Sequence, residues 1–572
     1  MTESDTTKTS SFARHLLDIR RITAEELEKA AALVNSGGAA ALERALVEIG
    51  AFSEEDLLEE FHRFYGVPRL DFEKVTPDRE LTRLVSPRFA NDHTIIPVRL
   101  EDGALFVAVS LPLKLSVMQD LSAITGYAVK PLLAKRSEII SAIRDHYGVG
   151  AETAEQMVRE GGTRLEVLAP EEGVSDAREL IDAAPVVRFV DQVILEAFRD
   201  RATDIHIEPF DRDLRIRYRI DGVLFEVGVP PGIQQFHAAI VSRIKIMASM
   251  DIAEKRLPQD GRIKIRVGDE ELDMRVATLP TSHGESVGIR LLRRKMLLMD
   301  ITELGPAPDT LEQIQRLIQS PHGIILVTGP TGSGKTTTLY SFLSRINSTE
   351  KKIVTLEDPV EYEIHGITQV QVRPKIELNF ANGLRSMLRH DPDVIMVGEM
   401  RDIETAGMGV QAALTGHLVF STLHTNDAPG AVTRLQDMGV MPYLIASSLR
   451  AVIAQRLIRV VCADCKEPYR PEARVLEPFG VPAHKAKEIQ LWRGAGCERC
   501  RQTGFLGRTG IYEVMNIDDT IRGLILERAS IDRIRGAAVK SGMRTLLDDG
   551  GLKIQRGLTT PEEVLQVTRG DS

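Results

Sequence analysis

The run Gly329-Pro330-Thr331-Gly332-Ser333-Gly334-Lys335-Thr336 restricts this chain more than any other feature. It fits G-x-x-x-x-G-K-[ST], a loop that works only between a buried strand and the start of a helix. Glycines let successive backbone N–H groups turn inward around phosphate oxygens. Lys335 can then reach the β and γ phosphates, and the Thr336 hydroxyl can ligate Mg²⁺, with Thr337 opening the helix beside it. The flanks suit this reading. Gly323–Thr328 is a continuous apolar run, and 337–346 has helical sequence. Ile353–Glu357, Val394–Val397 and 418–422 are further apolar runs without alternation. Strands buried on both faces read this way, so an α/β domain is expected over 301–460.

Binding a nucleotide is not hydrolysing it, which needs a group to orient or deprotonate water. Glu357-Asp358-Pro359 places carboxylates at the end of a strand expected to lie parallel to the first, the edge where α/β sheets gather ligands. Gly398-Glu399 ends another such run. Gly398 stands where a Mg²⁺-binding Asp is usual, so only Glu399 can contribute there. Glu357 is therefore read as the water-activating base and Glu399 as a second carboxylate near Mg²⁺, against the plainer alternative that each caps a loop. His417 and His424 bracket the strand 418–422. Lone histidines are often hydrogen-bonded core or loop residues, but on this strand either could sense a γ-phosphate.

The four cysteines form two C-x-x-C pairs, Cys462/Cys465 and Cys497/Cys500, separated by 31 residues. Two such knuckles supply four thiolates for a structural Zn²⁺ site with no open position. A disulfide scaffold would spread more cysteines over a shorter chain. Residues 1–11 are polar and do not read as a signal peptide. The uncharged stretch 405–426 contains Gln411, His417 and His424, so it reads as a buried part of a soluble domain and not as a membrane span. A chain of 572 residues asks for several domains, and its net charge of −10 argues against bulk nucleic acid as the main partner.

The remaining organisation follows from periodicity. Residues 1–70 read as a helical lobe, with Ser53 and Asp56 as an N-cap pair. A mixed lobe over 71–148 carries a hairpin around Glu101-Asp102-Gly103. A Glu-, Gly- and Ala-rich linker spans 149–176. In 177–300, Leu214, Ile216, Tyr218 and Ile220 alternate with Arg215, Arg217 and Arg219, the mark of a half-buried sheet. Residues 461–510 form the cysteine subdomain, and 511–572 read as a helical tail.

These segments resemble the Walker A, Asp box, Walker B and His box of secretion-superfamily ATPases. Ala202-Thr-Asp204-Ile-His206-Ile-Glu208-Pro and Met250 through Arg262 look like signatures of the type II secretion ATPases (the general secretion pathway protein E family) and their type IV pilus assembly relatives. The likeness is dense from about residue 181 onward and weak before 148. It implies a RecA-like P-loop ATPase domain preceded by a PAS-like α+β domain, a homo-hexamer, and ATP, Mg²⁺ and Zn²⁺ as cofactors. It also implies that Arg275 and Arg290 reach across to bound ATP; on the residues alone, each could equally sit on a solvated strand face. The cysteine pairs look like the extension and secretion branch, since pilus retraction ATPases lack them. The N-terminal lobes resemble the region that docks to inner-membrane secretion platform proteins, so the resemblance places the chain in the cytoplasm, at the cytoplasmic face of the inner membrane, powering pseudopilus assembly. Some relatives bind cyclic di-GMP in that region, but the Arg- and Gly-containing pattern is not evident near 41–61. A pilus assembly ATPase is the nearest alternative; a nucleic-acid motor and a non-hydrolysing regulatory module are more distant ones.

Overall fold

The computed structural model describes residues 11–35, 45–47, 49–72, 74–78, 80–110, 115–147, 184–230, 232–268, 270–293, 299–482, 484 and 489–568. The expected linker over 149–176 lies outside the described residues. In the N-terminal part, Ser53 caps the helix Glu54–Tyr65 by accepting from the Asp56 N–H, and Gly66 ends it in the left-handed conformation. Strands β1 (Ile95–Glu101) and β2 (Ala104–Val109) form the hairpin, and β3 (Ala128–Leu133) joins β2 in parallel. Phe12, Leu16 and Phe61 share one core with Val85, Ile95, Val107 and Ile139, so the helical lobe and the mixed lobe bury their apolar faces together.

The second unit is a six-stranded antiparallel sheet. Its strands are β4 (Asp204–Pro209), β5 (Leu214–Ile220), β6 (Val223–Val227), β7 (Gln259–Val267), β8 (Glu270–Thr281) and β9 (Gly284–Arg293), in the order β6-β5-β4-β9-β8-β7. Ile205, Ile216, Tyr218, Ile263, Met274 and Ile289 pack under the helices Ala184–Arg199 and His237–Met247. Period-two alternation leaves the other face charged. Cross-strand register lines up Arg262, Arg275, Arg290, Asp204 and Arg219 in one row over five strands.

The nucleotide unit is built on a seven-stranded sheet. It comprises β10 (Gly323–Thr328), β11 (Ile353–Glu357), β12 (Thr368–Gln371), β13 (Val394–Val397), β14 (Leu418–Leu423), β15 (Leu449–Val461) and β18 (Phe505–Asn516). Their order is β12-β11-β13-β14-β10-β15-β18, parallel throughout except for the last pair. Every residue of β10, β11, β13 and β14 is buried, which accounts for their unbroken apolar sequence. The uncharged stretch 405–426 becomes the rest of the helix Ile403–Leu414 followed by β14. Among the described residues no helix is long and apolar enough to cross a membrane.

Two findings depart from the sequence reading. β15 continues to Val461 and pairs with β18 over most of its length, so residues 505–510, expected in the cysteine subdomain, and 511–516, expected at the start of the helical tail, form one sheet strand. The cysteine subdomain, with β16 (Lys466–Tyr469) and β17 (Leu491–Gly494), is therefore an insertion between two strands of one sheet. Helices fill the rest of the described tail, among them Ile531–Lys540 and Pro561–Thr568.

Candidate active site and metal centre

β10 delivers the chain into the phosphate loop at Thr328. Gly329 has φ 147° and Gly334 has φ 89°, backbone states that side-chain-bearing residues rarely adopt. Space gives a second reason. A Cβ on Gly329 would lie 2.5 Å from Gln455 O and 2.6 Å from Ser333 Oγ, and one on Gly334 would lie 2.9 Å from Gln455 Nε2. The Gln455 amide also accepts from Thr338 Oγ1 at 2.7 Å, which ties β15 to the helix Lys335–Ile346. Sequence reasoning missed Gln455, because nothing nearby on the chain marks it.

Lys335 Nζ donates to Gly329 O at 2.7 Å and to Pro330 O at 3.0 Å. Burial pushes this ammonium down to about 8, against the pull of Glu399. Ser333 Oγ is buried with no hydrogen-bond partner, a donor facing the loop interior. Thr336 is exposed at the helix start. Glycines that leave no room for a Cβ, a helix N-terminus, an orphan hydroxyl and a lysine together fit the phosphates of a nucleotide. Thr336 and Glu399 supply hard oxygens suited to Mg²⁺.

Parallel pairing brings the ends of β11, β13 and β14 to the same edge. Glu357 is buried there and accepts three hydrogen bonds: from Tyr340 Oη at 2.5 Å, Thr355 Oγ1 at 2.5 Å and Gln369 Nε2 at 3.1 Å. Burial and the Glu357 charge raise the Tyr340 phenol well above its usual range, so it stays a donor. Glu399 pairs with Arg401 and lies 3.6 Å from His424 Nε2. Burial, then the Lys335 charge, lowers His424 below the usual imidazole range while Glu399 opposes them. A Cβ on Gly398 would sit 3.3 Å from Leu356 O and 3.5 Å from Glu357 Cα. The approach of β11 thus leaves little space for the usual aspartate.

His417 is not brought to this edge. It precedes β14 at the opposite end, where its carbonyl accepts from Gly323 N at 3.0 Å and its Nδ1 lies 2.9 Å from Ala412 O. A strand of this length rises about 3.3 Å per residue, so roughly 20 Å separates it from His424.

Arg275 Nη2 lies 2.7 Å from Glu361 Oε2, on the loop that follows Asp358-Pro359. Arg290 Nε donates to Asp204 Oδ1 at 3.1 Å. The charged face of the six-stranded sheet therefore meets the nucleotide unit beside Glu357.

The cysteines form a separate centre. Their four sulfurs lie within 4.8 Å of one another. Cys462–Cys497 and Cys465–Cys500 are 3.8 Å apart and Cys497–Cys500 is 3.7 Å. Sulfurs at about 2.3 Å from a tetrahedral Zn²⁺ would be about 3.8 Å apart, so this donor set fits zinc. Cys500 Sγ also accepts from the N–H groups of Cys497 at 3.1 Å and Gly504 at 3.3 Å, which suits a thiolate. Next to this centre, Arg501 pairs with Asp200, and Gly507 N at the start of β18 donates to Asp221 Oδ2 at 2.8 Å, so the insertion and the strand that follows it both contact the six-stranded unit.

Comparison with known proteins decides the lineage. The family model "Type II/IV secretion system protein" matches residues 179–566. The chain belongs to that family. A second model, the MshEN domain, matches residues 65–153, so the likeness extends into the region before 148, where motifs are sparse. The type II secretion system protein E of Xanthomonas campestris pv. campestris is 44% identical over 562 residues, covering 97% of each chain. The type IV pilus assembly ATPase PilB of Myxococcus xanthus is 44% identical over 530 residues, covering 92% of this chain and 93% of that one. Among solved structures, the Legionella pneumophila ATPase DotB aligns with a TM-score of 0.49 at 21% identity, covering 67% of this chain and 96% of that one. The secretion-system family thus includes this chain together with relatives of both the secretion and the pilus-assembly kind.

Proposed function

We propose that this member of the type II/IV secretion family hydrolyses ATP to power pseudopilus assembly in a type II secretion system. The observation that carries the reading is the gathering of Lys335, Glu357, Glu399 and His424 at one sheet edge behind a phosphate loop. Loop N–H groups of Gly329 and of 331–337, together with the Lys335 ammonium, hold the phosphates. Mg²⁺, held by the Thr336 hydroxyl and Glu399, would supply charge neutralisation between the β and γ phosphates. Glu357, fixed by its three donors, orients the attacking water and takes its proton. Arg275 and Arg290 stabilise charge on the transferring phosphoryl group, so turnover depends on how the two units close. His424 reports on the γ-phosphate through Glu399. Zn²⁺ on Cys462, Cys465, Cys497 and Cys500 is structural. The N-terminal unit docks to inner-membrane secretion platform proteins, which recruit the chain from the cytoplasm.

Lys335→Ala and Glu357→Ala should each abolish phosphate release while circular dichroism stays unchanged. Retained activity in either variant overturns the site. The high identity to a pilus assembly ATPase supports a second reading, assembly of a type IV pilus by the same chemistry. Pull-down of the N-terminal unit with a secretion-platform protein, against the corresponding pilus protein, separates them.

A further inference from the structure

Arg262, Arg275 and Arg290 stand side by side on β7, β8 and β9. Two of them have carboxylates on their own sheet: Arg262 pairs bidentately with Asp273, and Arg290 with Asp204. Arg275 differs. Its carboxylate, Glu361, belongs to the nucleotide unit, and its Nη2 also donates to Val360 O at 3.4 Å. Both side chains of the pair are only about a quarter exposed, at 27% and 23%, so water screens it weakly. The loop that carries Glu361 is not isolated from the chemistry. Glu361 N donates to Tyr340 Oη at 3.2 Å, and the same hydroxyl donates to Glu357 at 2.5 Å.

We infer that Glu361 is a positioning residue that holds the Arg275 guanidinium on the Asp358-Pro359 loop and gives it up only when nucleotide phosphate competes for it. This rests on the ATPase reading above, in which Arg275 acts on phosphate. One guanidinium cannot fully engage both anions, so ATP must displace Glu361 to recruit Arg275. The Glu361 pair is then a built-in cost of closure, and Tyr340 passes the loop's movement to the carboxylate of Glu357. The surroundings agree. Burial raises Glu361 above the usual carboxylate range, opposed by Arg275, Arg290 and Arg262, with Glu357 adding to the rise. A Glu361 that loses its arginine therefore tends to take up a proton, which weakens its hold further.

The test is steady-state ATPase kinetics with MgATP on the full chain. Glu361→Gln keeps shape and removes charge, so KM for ATP should fall at least threefold. Glu361→Asp keeps the charge and should retain the wild-type KM. In an Arg275→Ala background, Glu361→Gln should change KM by less than 1.5-fold, which a merely structural role would not produce. A KM that rises or stays level in Glu361→Gln, or the same fall without Arg275, overturns the inference. If Glu361→Gln does not purify folded, the pH profile decides. KM should fall on acidification in the wild type more steeply than in Arg275→Ala, and parallel profiles overturn the inference. Lys335→Ala in the same assay keeps the two readings apart. Loss of activity there, with no Glu361 effect, refutes the holding role alone, whereas retained activity refutes the ATPase site itself.

Discussion

Tyr340→Phe tests the wiring behind Glu357 with the smallest available change. The Tyr340 ring is fully buried in the nucleotide core, so phenylalanine fills the same space and only one oxygen is lost. That oxygen serves two bonds: it donates to Glu357 Oε2 at 2.5 Å and accepts from Glu361 N at 3.2 Å. A hydrogen bond to a charged group contributes about 1.5–3 kcal/mol, and a neutral one about 1 kcal/mol. Allowing for partial relaxation, local destabilisation should be about 2 kcal/mol, a factor of about 30 in local opening. Hydrogen exchange reads this directly. The amides of β11 and of Glu361 should exchange about 30-fold faster, while β7 and β8 stay unchanged. In the ATPase assay kcat should fall about tenfold with KM little altered, because a less well-held base is lost from the transition state and not from binding. Exchange within a factor of about three of the wild type would refute the argument, since it would mean that the phenol is not what holds Glu357.

Three further outcomes are expected. Lys335 sits near 8 without phosphate, and phosphate favours its charged form, so ATP binding should take up a proton at and above that pH and KM should rise as pH climbs past it; calorimetry in two buffers of different ionisation heat measures the uptake, and none at pH 8.5 contradicts it. Metal analysis should find about one Zn²⁺ per chain, and a strong chelator should speed exchange around Phe505, where Cys462 N donates to Gly504 O at 2.9 Å and Val461 pairs with Phe505; a metal-free chain with unchanged exchange counts against the site. Lys553 is buried, donates to Gly305 O at 2.5 Å and is pushed down to about 8 by burial, so the unfolded chain binds the extra proton between that pH and about 10.5. Wild-type stability should therefore rise with pH across that window by more than that of Lys553→Met, as read by chemical denaturation, and equal slopes would remove Lys553 as the cause.

How much of this was legible depends on the range of each interaction. The phosphate loop declared itself because its function needs a fixed local pattern, and β10, β11, β13 and β14 did so because burial on both faces leaves unbroken apolar runs. β15 was missed for the opposite reason. Arg450, Arg456 and Arg459 interrupt Leu449–Val461 and spoil both periods. Each has a distant partner that makes it tolerable: Arg450 reaches His322, Arg456 donates to Asn426 at 3.1 Å, and Arg459 pairs with Glu563 while lying over the Phe505 ring at 4.3 Å. No local signal announces such partners. Gln455 and Glu361 escaped notice likewise, since their roles come from what β15 and the Asp358-Pro359 loop approach.

Sequence alone marked the phosphate loop, the paired cysteines and the arginine-bearing sheet, because each rests on residues whose spacing along the chain is itself the physical requirement, and these motifs carried the family resemblance. Tertiary structure decided what spacing cannot. It put His424 beside Glu399 and His417 a strand's length away, although both flank one strand, because parallel register sends the two ends of β14 to opposite edges. It returned residues 505–516 to the nucleotide sheet, where they pair antiparallel with β15. And it gave Arg275, alone in its row, a carboxylate on the other unit, a contact between residues 86 positions apart that exists only once both sheets have folded.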